Sequence, residues 1–207
     1  MRIKRFPAGF VIPAQPVMAS RPPSGADWVH EIKHDGYRLI VRRDGPTVRL
    51  YTRNAYDWTV RLPAIAAAAQ RIKAKSFTID GEAVVLGLTA CHASMSCVDS
   101  RLCIARSSMP SIRSSTMVRI FATVRFSIAR QRSRGCLRDT EAGILINEHV
   151  VGDGPTVFEH ACRLGAEGIV SKKVDGTYRS GRCPVWIKVR NPASVAVQRE
   201  RSEKWNR

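Results

Sequence analysis

The chain has no Cys-X-X-Cys pair. Its six cysteines are scattered, with Cys91, Cys97, Cys103 and Cys136 in one segment and Cys162 and Cys183 far downstream. That spacing excludes a zinc ribbon and a thioredoxin-like redox site, and reduced, unpaired thiols are the expectation. No apolar run is long enough to span a bilayer. The short apolar stretch after Arg2, Lys4 and Arg5 is interrupted by Pro7 and Pro13, unlike a signal peptide. A cytoplasmic protein with no membrane partner is therefore expected. Acidic residues are scarce, 17 against 34 Lys and Arg, for a net charge of +17 and a pI near 10.5. Such a balance favours polyanions, either nucleic acid or an anionic membrane face. The hydrophobic fraction of 44% over 207 residues is ordinary for a globular chain and excludes disorder throughout.

Residues 1–26, rich in Pro, Ala and Ser, read as an extended lead-in. Strand-like alternation follows at Trp28–Ile32, Tyr37–Arg42 and Thr47–Arg53, separated by Asp35-Gly36 and Asp44-Gly45-Pro46, which suggests a β-meander. Leu62, Ile65, Ala66, Ala69 and Ile72 recur at helical spacing within Thr59–Lys75, with Pro63 near the start. Ser76–Leu86 returns to strand. Beyond residue 138, strands are expected at Gly143–Val151, Glu167–Val174 and Val185–Arg190. A helix is expected over Thr156–Leu164, closed by Gly165. Residues 191–207 are polar and basic and read as a fraying tail. The expected class is α+β, antiparallel β-sheets flanked by helices, in one domain over 27–190.

Leu88 to Leu137 interrupts that domain. It holds eight arginines and no lysine, one aspartate and no glutamate, ten serines, and neither Trp nor Tyr. Neither helical nor strand periodicity fits more than a few residues of it. Codons compatible with this stretch, regrouped as third base plus the next two, permit Asp-Gly-Leu-Ser-Arg-Phe-Asp-Glu-Leu-Arg-Arg from Leu88 onward. They permit Phe-Leu-Asp-Arg-Lys-Ala-Ala-Leu-Ala-Arg-Leu near its end. Both are charge-balanced, globular-looking sequences. We read about 88–137 as bracketed by two compensating frameshifts, in the gene or in its sequencing. Sequencing the coding DNA tests this, and a stop codon in the offset frame would refute it. Through Arg138 the segment contributes nine arginines and one aspartate, +8 of the +17, so +9 remains elsewhere.

Lys33, in Glu31-Ile-Lys-His-Asp-Gly-Tyr-Arg38, stands between an apolar strand and an Asp-Gly turn. A lysine so held can point into a cleft, where desolvation or neighbouring cations favour the uncharged, nucleophilic amine. A solvated turn lysine is the plainer alternative. Lys188 and Arg190 alternate on one strand face and suit phosphate oxygens. Glu82 and Glu167 are hard oxygen donors, and Tyr51, Tyr56 and Trp58 read as core or edge aromatics rather than base-stacking platforms.

In order along the chain stand Glu31-Ile-Lys33-His-Asp35-Gly36-Tyr-Arg38, Thr52-Arg53-Asn54, Asp80-Gly81-Glu82, Glu167-Gly168-Ile-Val-Ser-Lys172 and Trp186-Ile-Lys188-Val-Arg190. With these motifs the chain resembles the adenylation domain of ATP-dependent DNA ligases, in particular the ligase module of bacterial end-joining ligases, over about 9–87 and 138–207. The resemblance implies an ATP-grasp-like adenylation domain in which Lys33 becomes a lysyl-AMP. It implies ATP contacts from Glu31, Ile32, Arg38, Arg53, Glu82, Lys172, Lys188 and Arg190, and Mg²⁺ or Mn²⁺ on Glu82 and Glu167. It further implies a monomer acting on nicked or broken DNA in repair and recombination, with end-joining proteins as partners.

The chain departs from the pattern at four points. Ala55 stands where relatives often have a glycine, and Arg190 replaces a lysine. The aromatic residue on which the family stacks adenine is missing, with Ser111 where the offset frame restores Phe. The family's OB-fold domain does not fit before Arg207. Weak or absent self-adenylation is therefore the expectation for the sequence as written. An RNA ligase or capping-type nucleotidyltransferase, and an inactive basic nucleic-acid-binding remnant, are the alternatives.

Overall fold

The computed structural model describes residues 5–86, 117–124 and 143–205; Ser111 and most of the anomalous segment lie outside them. Ten strands form two five-stranded sheets. The first has the order β1 (Ala14–Met18), β10 (Gly181–Arg190), β9 (Gly168–Lys173), β2 (Trp28–Lys33), β8 (His149–Val151). The second runs β4 (Thr47–Thr52), β3 (Tyr37–Asp44), β5 (Ser76–Leu86), β6 (Met117–Val124), β7 (Ile144–Ile146). Pairing is antiparallel except for β1 with β10 and β6 with β7. The expected α+β class with antiparallel sheets is found, with those two parallel pairs added.

The turn after Lys33 is not the expected hairpin. β2 pairs with β8 and β9, whereas β3 pairs with β4 and β5, so residues 34–36 carry the chain from one sheet to the other. Alternation along two strands does not reveal whether they share a sheet. Gly36 makes the corner possible: a Cβ there would stand 2.3 Å from the Ala83 carbonyl oxygen. The hairpin expected at Asp44-Gly45-Pro46 does form, with Asp44 opposite Thr47.

Helix α1 (Pro63–Arg71) is shorter than its periodicity suggests. Pro63 occupies the first turn and disfavours helix before it, and Ile72 is already extended at φ −62°, ψ 130°. Leu62, Ile65, Ala68, Ala69 and Ile72 bury against Leu39, Val41, Leu50, Phe77 and Ile79, forming the main core on the second sheet. Full burial of a side chain such as Ile65 contributes about 1.5–3 kcal/mol. Helix α2 (Gly154–Arg163) packs Val157, Phe158 and Ala161 on Ile32 and Ile169 of the first sheet. Its cap residue Asp153 accepts from the Thr156 backbone N–H at 3.1 Å, and Gly165 closes it at φ 72°.

Three further elements differ from the sequence reading. Residues 14–18 of the lead-in form an edge strand, which tolerates Pro16 because a register shift falls there. The stretch expected as one strand at 143–151 is two, β7 and β8, one in each sheet. The tail holds helix α3 (Val195–Trp205). β6 also forms inside the segment that fitted no periodic template, pairing Phe121 with Glu82 along β5. None of the helices among the described residues is long and apolar enough to cross a membrane.

Candidate active site

The two sheets enclose a cavity of about 720 Å³ lined from both sides. Strand periodicity supplies the lining. Trp186, Lys188 and Arg190 on β10, Val170 and Lys172 on β9, and Glu31 and Lys33 on β2 face it from the first sheet. Arg38 on β3 and Asp80 and Glu82 on β5 face it from the second, and Thr52, Arg53, Asn54 and Tyr56 form part of its rim. Ile32 also borders the cavity, while its side chain packs against the cluster under α2. Every residue that the resemblance assigns to ATP or metal therefore meets in one place.

Lys33 Nζ donates to Glu167 Oε2, and Arg190 Nε lies 3.9 Å from Glu167 Oε1. Glu167 is 8% exposed, so a lysine and an arginine balance its charge in a nearly dry setting. The glycine after it is a close-approach residue: a Cβ on Gly168 would lie 2.0 Å from the Val189 carbonyl oxygen, which lets β9 and β10 draw together. Opposite, Arg38 holds Asp80 with a two-pronged contact, Nε to Oδ1 at 2.8 Å and Nη2 to Oδ2 at 2.7 Å. Burial opposes the Arg38 charge, but the Asp80 bonds outweigh it and its pKa rises. Burial pushes the Glu82 carboxyl up to about 7, against the pull of Lys33 and Arg38 and with the push of Glu167 and Asp80.

Lys172 has a partner that sequence spacing did not show. Its Nζ donates to Glu31 Oε2 and stands 4.4 Å from the centre of the Trp186 ring. Burial lowers its pKa, opposed by Glu31. The two residues form a buried ion pair in the cavity wall.

Sequence reasoning missed four supporting residues. Asn147, where the chain crosses from β7 to β8, donates through Nδ2 to Glu31 Oε2 at 3.0 Å, and its Oδ1 lies 3.2 Å from His34 Nε2. Tyr178 donates its hydroxyl to Asp80 Oδ2 at 2.7 Å and accepts from the Ala14 backbone N–H at 3.0 Å, linking the sheets; its own pKa is raised, first by burial and then by Asp80. Asn191 and Ser194, both buried, fix the start of α3. Asn191 N–H donates to the Glu167 carbonyl at 2.8 Å, and Ser194 Oγ accepts from Val197 N–H at 3.3 Å. No turn or strand pattern marks these residues.

Chemically, the site offers a lysine amine among arginines and lysines, with carboxylates on both walls. It can bind a polyphosphate and transfer a phosphoryl-linked group to an amine. Comparison with known proteins gives the particular case. Residues 17–121 match the family model described as the ATP dependent DNA ligase domain. The multifunctional non-homologous end joining protein LigD of Pseudomonas aeruginosa is 29% identical over 189 residues, which is 87% of this chain and 22% of that protein. A probable DNA ligase of Streptomyces coelicolor is 31% identical over 185 residues, 80% of this chain and 35% of that protein. The structure of mycobacterial DNA ligase D complexed with ATP and MES superposes with a TM-score of 0.64 at 26% identity, covering 87% of this chain and 60% of that one. The chain belongs to the ATP-dependent DNA ligase domain family, and it spans only a fraction of the length of these curated relatives.

Proposed function

We propose that this chain performs the adenylation chemistry of an ATP-dependent, end-joining-type DNA ligase, with Lys33 as nucleophile. The observation that carries the proposal is the convergence of Lys33, Glu167, Lys188, Arg190, Glu82, Arg38 and Arg53 on one cavity between the sheets. The Lys33 amine attacks the α-phosphorus of ATP. A P–N bond forms, the bond from the α-phosphorus to the bridging oxygen breaks, and pyrophosphate departs. The ammonium must first lose a proton, and Glu167, already accepting a hydrogen bond from Nζ, is placed to take it. Lys188 and Arg190 neutralise phosphate charge without covalent participation. Arg38, oriented by Asp80 and Tyr178, and Arg53 on the rim suit the ribose or the incoming 5′-phosphate. The AMP then passes to a DNA 5′-phosphate and is displaced by a 3′-hydroxyl.

Glu82 and Glu167 fit a divalent cation of the Mg²⁺ class, which binds through one or two carboxylates together with substrate phosphates. Glu82 in particular is a half-buried carboxyl whose raised pKa, near 7, a cation would lower. Bound there, the metal would neutralise charge on the triphosphate. Nicked or broken DNA as substrate, magnesium, end-joining partners and a cytoplasmic setting all follow from this reading. The segment at 88–137, where the adenine-stacking aromatic is missing, is where nucleotide affinity would be lost, so a weak reaction is expected. The test is labelled AMP retained on the purified chain. Lys33-independent, salt-sensitive DNA binding without label would favour the remnant reading, and a preference for GTP or RNA ends the capping or RNA-ligase reading.

A further inference from the structure

Tyr56 is a large aromatic that the chain holds in the open at the edge of the cavity. The residue is 65% exposed and lies outside the core, whereas Tyr51 is buried in it. Its backbone is fixed on both sides. Thr52 N–H donates to the Tyr56 carbonyl at 2.9 Å, and Tyr56 N–H donates to Thr52 Oγ1 at 3.1 Å. The tightness of this loop forces Ala55 to φ 65°, the left-handed region that a residue with a Cβ adopts at a cost. Beside it, Trp58 packs against Tyr37 with ring centres 5.1 Å apart, and the Arg61 guanidinium stands 5.5 Å from the Trp58 ring. Arg53, three residues earlier, lies on the same rim. A ring on a backbone-fixed loop, with Arg53 on the same rim and a cavity lined by phosphate-seeking cations beside it, matches the way nucleic-acid proteins combine a charged path for the backbone with a face for the base.

We propose that Tyr56 stacks on the nucleobase of the nucleotide that brings its 5′-phosphate to the cavity. The proposal rests on the ligase reading above. An exposed ring is favourable here because every base offers a π-face, so the contact reads the presence of a base rather than its identity. The occupant is a nucleic acid rather than an apolar peptide because Arg53 shares the rim with Tyr56, and Arg38, Lys188 and Arg190 line the cavity beside it, a set that complements a phosphate backbone.

The test compares DNA binding by the full chain to two nicked duplexes, one with a normal nucleotide at the 5′-phosphate and one abasic at that position. For Tyr56→Ala we expect binding to the normal duplex to weaken about tenfold, within the range for losing one base–aromatic contact, with no change on the abasic duplex. Tyr56→Phe should bind both as the parent does. Equal affinity of Tyr56→Ala and parent for the normal duplex, or an equal loss on both duplexes, would overturn the proposal. The same holds if Tyr56→Phe weakens binding as much as Tyr56→Ala. Because the readout is binding, it separates this proposal from the adenylation chemistry, which would fail independently in the labelling experiment.

Discussion

Breaking the Glu31–Lys172 pair one side at a time should unfold more of the protein than replacing both residues together. Glu31 is 9% exposed and Lys172 4%, so neither charge can fall back on water if its partner is removed. Truncating one member of a buried pair costs about 3–5 kcal/mol because the survivor is left uncompensated. That is a fifth or more of a typical domain's stability of about 5–15 kcal/mol. Glu31→Gln keeps an acceptor for Asn147 Nδ2, now at 3.0 Å, but strands the Lys172 ammonium. Lys172→Met keeps an apolar stem against Trp186 but strands the Glu31 carboxylate. The double variant strands neither, and loses chiefly the contact of the ammonium with the Trp186 ring, worth about 0.5–2 kcal/mol. Urea denaturation followed by tryptophan fluorescence should give each single variant a midpoint well below the parent, with the double variant closer to the parent than either, at unchanged slope. If the two single losses sum to the loss in the double variant, the residues are not coupled and the buried pair is misassigned.

The strained turn at the rim gives a second expectation. Ala55→Gly relieves the left-handed conformation at φ 65° and should raise stability by about 1 kcal/mol, read as a higher melting temperature; a lower one would show that the turn is not strained. Glu82 gives a pH dependence. Its folded pKa, near 7, lies above its unfolded value of 4.5, so the folded state holds the proton more tightly. Its contribution to stability is therefore full below the unfolded value and is lost as pH climbs through the window from 4.5 to about 7. Glu82→Gln, which cannot ionise, should accordingly gain in melting temperature relative to the parent between pH 5 and pH 8, measured without metal or nucleotide. A difference that stays flat with pH would contradict the desolvation of this carboxyl in the cavity.

How much of this was legible beforehand differs residue by residue. The facing of Lys188 and Arg190 into the site follows from period-2 alternation along β10, and Lys33 from its place at a strand end before a tight turn. Strain at Ala55 was visible as a missing glycine. The corner at Gly36 was not, because the competing partners for Tyr37–Asp44 lie on β4 and β5 and alternation is blind to which sheet a strand joins. Tyr178 and Asn147 were hidden for a related reason: their partners Asp80 and Glu31 are 98 and 116 positions away. The tail looked like a fraying end from its charge, yet the buried polar clamp of Asn191 and Ser194 seats α3 beside the cavity. Lys172 was assigned to nucleotide from its motif, and its burial against Glu31 shows a second demand on the same side chain.

Lys33 is proposed as the residue that carries AMP. The direct measurement is incubation of the purified chain with α-phosphate-labelled ATP and magnesium, followed by denaturation and counting of retained label, beside Lys33→Ala. The expected result is a weak but reproducible label on the parent chain that is lost in acid, as a phosphoramidate is, and absent from Lys33→Ala. Label of equal strength in Lys33→Ala, or label on the parent that survives acid, would contradict it.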